Sequence, residues 1–255
     1  MERLREMQKE LNYTRVLYKE RKFIFRFTIV FLVLGIILTL MTPKVYESDS
    51  LIELGSFSKD LKSNILVAGE IERDHVYTQA EAKNIISSSI ILNPVIEEYF
   101  SKGYSLNEFR KNNIEVIIVS ERGGLSETLK TSFVNIRTKA NSPEIARDIN
   151  AKTVSNFLSF AEVRYQSKID TISNKIDRLN RDLIGIGAER QIDLKEEKRD
   201  LQEILDDARS FKVISDPQLP KEASEPSLLT NVLLALILGV VIGSFVAVFR
   251  EMLNR

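Results

Sequence analysis

No cysteine occurs in the 255 residues, which excludes a disulfide framework, a thiolate metal site and a cysteine nucleophile, and leaves the redox compartment unread. Histidine is almost as scarce. His75 stands alone in a stretch that reads as a polar, solvated loop, and a one-imidazole metal site would need carboxylates that no spacing here assembles. The sequence also lacks G-x-x-x-x-G-K-[ST], G-x-G-x-x-G and G-x-S-x-G, so neither a phosphate-cradling loop nor a nucleophile elbow has support. Acidic pairs do occur, at Glu97 with Glu98, Glu196 with Glu197 and Asp206 with Asp207, but neighbours on a helix diverge by about 100° and read as solvated faces. No catalytic residue, cofactor or metal ligand is expected. Net charge is missing too, because 36 basic residues balance 36 acidic ones, and that balance gives no reason to expect nucleic acid.

The average composition, 44% hydrophobic and 28% charged, hides a segregation. Between Phe23 and Met41 the only charge is Arg26, and between Leu228 and Phe249 there is none, so each run reaches the roughly 20 apolar residues needed to cross about 30 Å of hydrocarbon. Arg26 lies one turn inside the first run, from where it can snorkel to the headgroups beside Arg21 and Lys22. A cleaved signal peptide is disfavoured by the charge-rich residues 1–22 and by the absence of a small-x-small pattern in Thr42, Pro43 and Lys44. Of the 36 basic residues, eight lie in 1–26 and two in the tail, so both termini are expected in the cytoplasm. The long segment between the spans keeps 26 basic and 31 acidic residues, an excess too mild to indicate a partner.

Within that segment, Pro43 precedes a strand over Val45 to Leu54 that ends at Gly55, and residues 56–76 read as irregular. Thr78 and Glu81 have capping-box spacing before a helix over about 79–90, whose apolar positions are Ala82, Ile85, Ile86 and Ile90. Asn93 followed by Pro94 signals a second helix start, NPVIEEYF, stopping near Gly103. Ile114 to Val119 and Phe133 to Thr138 are strand candidates, with a turn at Gly123 and Gly124. Ser142 as cap and Pro143 at the first helical position then open the longest element in the chain.

Two different stripes follow one another along this helix. Ile145, Ile149, Val154, Phe157, Leu158 and Ala161 make a broad face suited to covering a sheet, whereas Tyr165, Ile169, Ile172, Ile176, Leu179, Leu183 and Ile186 step by alternating 4 and 3, as a coiled-coil seam does. Gly185 and Gly187 interrupt the pattern, and a second helical stretch runs to about Arg209, so a helical hairpin is expected with arms of about 36 and 33 Å. The seam can close the hairpin within one chain, and packing against neighbouring subunits is expected as well. Phe211 to Ile214 can add a last strand, and Pro217, Pro220 and Pro226 make a stiff lead into the second span. In that span Gly239 and Gly243 form G-x-x-x-G, a face on which helix backbones approach closely.

The expected fold class is α+β, with two transmembrane helices flanking an extracytoplasmic base from which a long helical hairpin projects. Its parts are a cytoplasmic segment 1–22, a first span 23–41, a base of 42–160 and 211–216, a hairpin arm 161–210, a Pro-rich linker 217–227, a second span 228–249 and a tail 250–255.

In this order the elements resemble the polysaccharide co-polymerase, or Wzz-type chain-length determinant, family. The likeness is carried by TPKVYESDSLIEL with Pro43 and Tyr46, by ISSSIILNPVIEEYF with Asn93 and Pro94, by VNIRTKANSPEIARDINAKTVSNFL with Pro143, and by the ending DPQLPKEASEPSLLTNVLLALILGVVIGSFVAVFRE. The resemblance implies a homo-oligomer in the cytoplasmic (inner) membrane, acting with a separate membrane polymerase on a lipid-linked glycan. It would set chain length for a lipopolysaccharide O-antigen, a capsule or an exopolysaccharide. The arm is short for that family, and nothing matches the tyrosine-kinase domain of some relatives. The competing readings are an adaptor that activates a separate tyrosine kinase in export, a two-span sensor and a transport scaffold.

Overall fold

The computed structural model describes residues 16–58, 73–119, 133–184 and 188–253, arranged as two compact units. The expected turn at Gly123 and Gly124, the hairpin tip at Gly185 and Gly187, and Ile186 lie outside the described residues. One unit comprises residues up to 45 and from 223 onward, and the other comprises 46–222.

The first unit is a pair of apolar helices, α1 (Arg21–Met41) and α7 (Leu228–Leu253). Both are long and apolar enough to cross a bilayer, which with the sequence makes this a two-span membrane protein. Helix α1 ends where Pro43 excludes helical geometry from the residue before it: Thr42 is extended, and its hydroxyl and amide both donate to Leu38 O. The helices are antiparallel, because Lys19 pairs with Glu251 at one end (3.0 Å) and Asn231 donates to Thr39 Oγ1 at the other (3.2 Å).

The second unit is built on an antiparallel sheet of four strands in the order β4-β5-β1-β6, where β1 is Tyr46–Glu53, β4 Ile114–Ile118, β5 Phe133–Ala140 and β6 Lys212–Ser215. Alternation in β5 sends Val134, Ile136, Thr138 and Ala140 inward, and the register Ser48↔Thr138 and Ser50↔Ile136 sets small polar residues of β1 on the same face. Helix α5 (Pro143–Asp182) lies on that face with its first five turns. Ser142 caps it by accepting from the Ile145 amide, with Pro143 next, as the sequence indicates. Asn150, fully buried, donates to Ser48 O (2.7 Å) and Ile136 O (2.8 Å), and Thr138 Oγ1 donates to Ala146 O (2.7 Å), so the helix is bonded to both central strands.

Several sequence expectations are corrected here. Residues 56–76 are not wholly irregular: β2 (Ser56–Ser58) and β3 (Arg73–His75) pair as a small second sheet, so His75 sits in a strand, partly buried, and not in a solvated loop. The helix expected over 79–90 ends earlier, as α2 (Gln79–Ile86), capped by the full Thr78–Glu81 box. The next helix, α3 (Ser89–Tyr99), starts after Ser87 and Ser88, and Asn93 with Pro94 lies inside it. Burial decides this. Ile91, Leu92, Val95 and Ile96 form one inward face only if the helix is continuous through Pro94, which is exposed and forfeits a single internal bond. Ile90 is consequently outward, as is Ile145, while Asn150 and Thr153 take inward positions that a purely apolar stripe would not assign them. Helix α4 (Leu106–Asn112) has no counterpart among the sequence expectations, although Ser105 and Glu108 form a complete capping box and Phe109 is fully buried.

Candidate functional site

Four surfaces hold the residues that the sequence singles out. The first is the hairpin of α5 with α6 (Ala188–Asp206). Lys175 reaches Glu197 (2.8 Å) and Glu162 accepts from Ser210 (3.0 Å), which fixes an antiparallel register. Ile169 and Ile172 are partly buried, Ile176 and Leu179 are buried and Leu183 is half-buried, while Leu201 and Ile204 supply the apolar positions of α6. The seam residues therefore lie together on one line, and that line faces the chain's own second helix. At 9% and 7% exposure, Ile176 and Leu179 need no neighbouring subunit to leave water.

Where α5 leaves the sheet, a ring of aromatics surrounds it. Phe57 stacks on Tyr165 (5.3 Å), and Phe211 meets Phe157 edge-on (5.9 Å) and Tyr77 at 6.1 Å. Arg164 lies over the Tyr77 ring at 4.6 Å and Lys168 over Phe57 at 5.5 Å. Burial, and then Glu162, pushes the Tyr165 hydroxyl above its ordinary value, and the Thr78 amide and hydroxyl hold Glu81 below its own. Gly55 belongs to this collar, since a Cβ there would stand 3.0 Å from Phe211 Cε2 and 3.3 Å from Arg209 O. Sequence reading missed the collar because its members come from β2, α5 and two connecting segments. The only local signal was the switch of stripe near Ala161.

The third surface is the face of the sheet opposite α5. Arg137 of β5 binds Asp49 (2.9 Å) and approaches Glu47 (3.6 Å) and Glu115 (3.9 Å), and Lys139 binds Glu47 (2.8 Å). Its hydrogen bond to Asp49 raises Arg137 further above its already high ordinary value. These cross-strand pairs follow the register Glu47↔Lys139 and Asp49↔Arg137↔Glu115, so they reinforce strand order, each pair being solvated enough to contribute about 1 kcal/mol at most.

Fourth are the glycines and prolines. A Cβ on Gly239 would stand 2.9 Å from Thr28 Cα, one on Gly243 would stand 3.4 Å from Phe27, and one on Gly35 would stand 2.6 Å from Ala235 Cβ, so the G-x-x-x-G face is occupied by the chain's own first span. Pro43 is exposed at the end of α1, and Tyr46 opens β1 against the core. Pro143 starts α5, and Pro217, Pro220 and Pro226 are half-buried along the extended return to α7. Ser48 Oγ donates to Gln218 O (2.9 Å) on that return. Among the described residues no cluster of three or more His, Asp or Glu is placed to hold a metal ion.

The family model for the Wzz chain length determinant protein matches residues 11–99, the stretch running from the first span through β1 to the end of α3. Solved structures similar to the chain include a full-length bacterial polysaccharide co-polymerase (TM-score 0.42, 10% identity, covering 94% of this chain and 97% of that one). A fragment of the WzzB co-polymerase from Salmonella Typhimurium is also similar (TM-score 0.35, 12% identity, 72% and 100% covered). So is a point mutant of the lipopolysaccharide O-antigen chain-length regulator WzzB from Shigella flexneri (TM-score 0.22, 8% identity, 71% and 100% covered). At such scores none of the three adds to what the matched segment establishes. No curated protein matches the chain. The matched segment contains Pro43, Tyr46, Asn93 and Pro94, whereas the hairpin seam and the second span follow it in sequence.

Proposed function

We propose that the chain regulates the length of a bacterial surface polysaccharide without itself forming or breaking a glycosidic bond. The observation that carries this reading is the match of residues 11–99 to the chain-length determinant family. In support, the two antiparallel spans bring both chain ends to one side of the membrane, and the basic residues of 1–26 favour the cytoplasm for that side. The α+β domain with its hairpin then stands outside the cytoplasm, where a membrane polymerase extends a lipid-linked glycan.

Regulation in this reading is geometric and oligomeric. Several copies stand side by side, and since the hairpin seam and the G-x-x-x-G face are filled within one chain, copies meet through other surfaces, among them the outer face of the sheet around Arg137. Cells in which the chain is deleted should still make polymer, with its length distribution broadened or shifted, when the polysaccharide is resolved by size. Loss of all polymer would overturn the reading and reopen an enzymatic or export role. Purified intact complexes should contain more than one copy, and a monomer at every concentration would remove the oligomeric part.

A further inference from the structure

Arg21, Lys22, Phe25 and Arg26 share one face of α1 and line an open hollow of about 390 Å³. Of the nearby acids Glu20 and Glu251, the second is taken by Lys19 (3.0 Å), while Arg250 lies over the Phe23 ring and Arg21 over the Tyr18 ring (4.6 Å). Among the described residues no carboxylate lies within 4.0 Å of Arg21, Lys22 or Arg26. Arg26 is the important member, because it sits a turn inside the apolar run where water is thinning, and a guanidinium with no carboxylate partner among the described residues favours a counter-anion there.

We propose that this hollow binds the phosphate of an anionic phospholipid in the leaflet that meets the start of α1. A guanidinium suits a phosphate because its planar fork can donate two parallel bonds to it, and Arg21 with Lys22 adds charge beside it. A lipid rather than a free anion is indicated by what continues the face. Phe25 is 66% exposed within the lining, and Ile29, Val30, Val33 and Leu34 carry an exposed apolar surface onward along the helix, where acyl chains would lie. The proposal rests on the two-span architecture and is independent of what the protein does to polysaccharide.

The full chain in neutral detergent should retain phosphatidylglycerol in preference to phosphatidylcholine, counted by native mass spectrometry. Arg26→Gln should weaken that retention about fivefold, the effect of one basic residue at an anionic surface, and Arg21→Gln combined with Arg26→Gln should weaken it further. Arg26→Lys, which keeps the charge, should lose less, and Arg199→Gln in the hairpin should lose nothing, so misfolding would be distinguished from loss of the site. Equal retention by Arg26→Gln and the unaltered chain would overturn the proposal. So would displacement of the lipid by 0.1 M inorganic phosphate, which would make the hollow a free-anion site.

Discussion

The α1/α7 pair meets through Gly35, Gly239, Gly243, Ala235 and Thr28, the glycines of α7 receiving Phe27 and Phe31, whereas the α5/α6 pair meets through Ile169, Ile172, Ile176, Leu179, Leu201 and Ile204. Both are antiparallel helix pairs in one chain, and the difference follows from their surroundings. In water, burying each large aliphatic side chain contributes about 1.5–3 kcal/mol, so the hairpin uses the largest side chains that fit. In lipid that drive is absent, and association depends on close backbone packing and a few hydrogen bonds, which favours the smallest. The sheet-facing half of α5 lies between the two: Ala146 and Asn150 sit close over Ser48 and Thr138, combining small residues with buried hydrogen bonds.

The contrast is broken most severely by charging the hairpin. Ile172, Ile176 and Leu179 all changed to Asp should separate α5 from α6 at a cost of several kcal/mol, because the carboxylates at 176 and 179 would be buried unpaired and the one at 172 partly so. Spin labels at Asp170 and Asp200 should be close in the unaltered chain and far apart in this variant. A smaller effect is expected from adding volume to the spans. Gly239→Leu meets Thr28 backbone and should weaken the α1/α7 contact by about 1–3 kcal/mol, read by cysteine cross-linking between residues 35 and 235. Asn231→Leu removes the bond to Thr39 and should weaken the same contact by only about 0.6 kcal/mol.

The smallest effect concerns pH and is confined to the second unit. Glu81 is held below its ordinary value chiefly by the Thr78 amide, and Glu98 by Lys152, so the folded state binds fewer protons than the unfolded one. Their stabilisation is complete above the ordinary value of 4.5 and is lost as the pH falls through the lower folded values. Because both carboxylates are exposed, Glu81→Gln should only slightly flatten the stability of the fold below that pH in acid titration followed by circular dichroism.

The spans, the strand after Pro43, the caps at Thr78 and Ser142 and the long helix were legible because each is specified locally, by composition, by a cap or by periodicity. What was not legible depends on partners distant in sequence. The two short strands β2 and β3 are held by each other and by distant partners such as Arg209 and Tyr165, and α4 offers one buried residue, Phe109, too little for a periodic signal. Asn93 with Pro94 reads as a helix start because local capping chemistry favours it, and tertiary burial of Val95 and Ile96 overrides that preference. Gly239 and Gly243 could be singled out from spacing, but the helix they face could not, since G-x-x-x-G describes a close approach without naming its partner. The collar of Phe57, Tyr77, Phe157, Tyr165 and Phe211 had no sequence signature beyond the switch of stripe near Ala161.

The size distribution of the surface polysaccharide in cells whose only copy carries the three Asp changes at Ile172, Ile176 and Leu179 tests whether the protein acts through its architecture. If it does, polymer is still made, and its lengths match those of the deletion strain, while single changes at His75, Glu97 or Asp206 leave the normal distribution in place. Complete loss of polymer in the hairpin variant, or an equal change from any one of those single substitutions, would contradict a geometric regulator and point to chemistry performed by the chain itself.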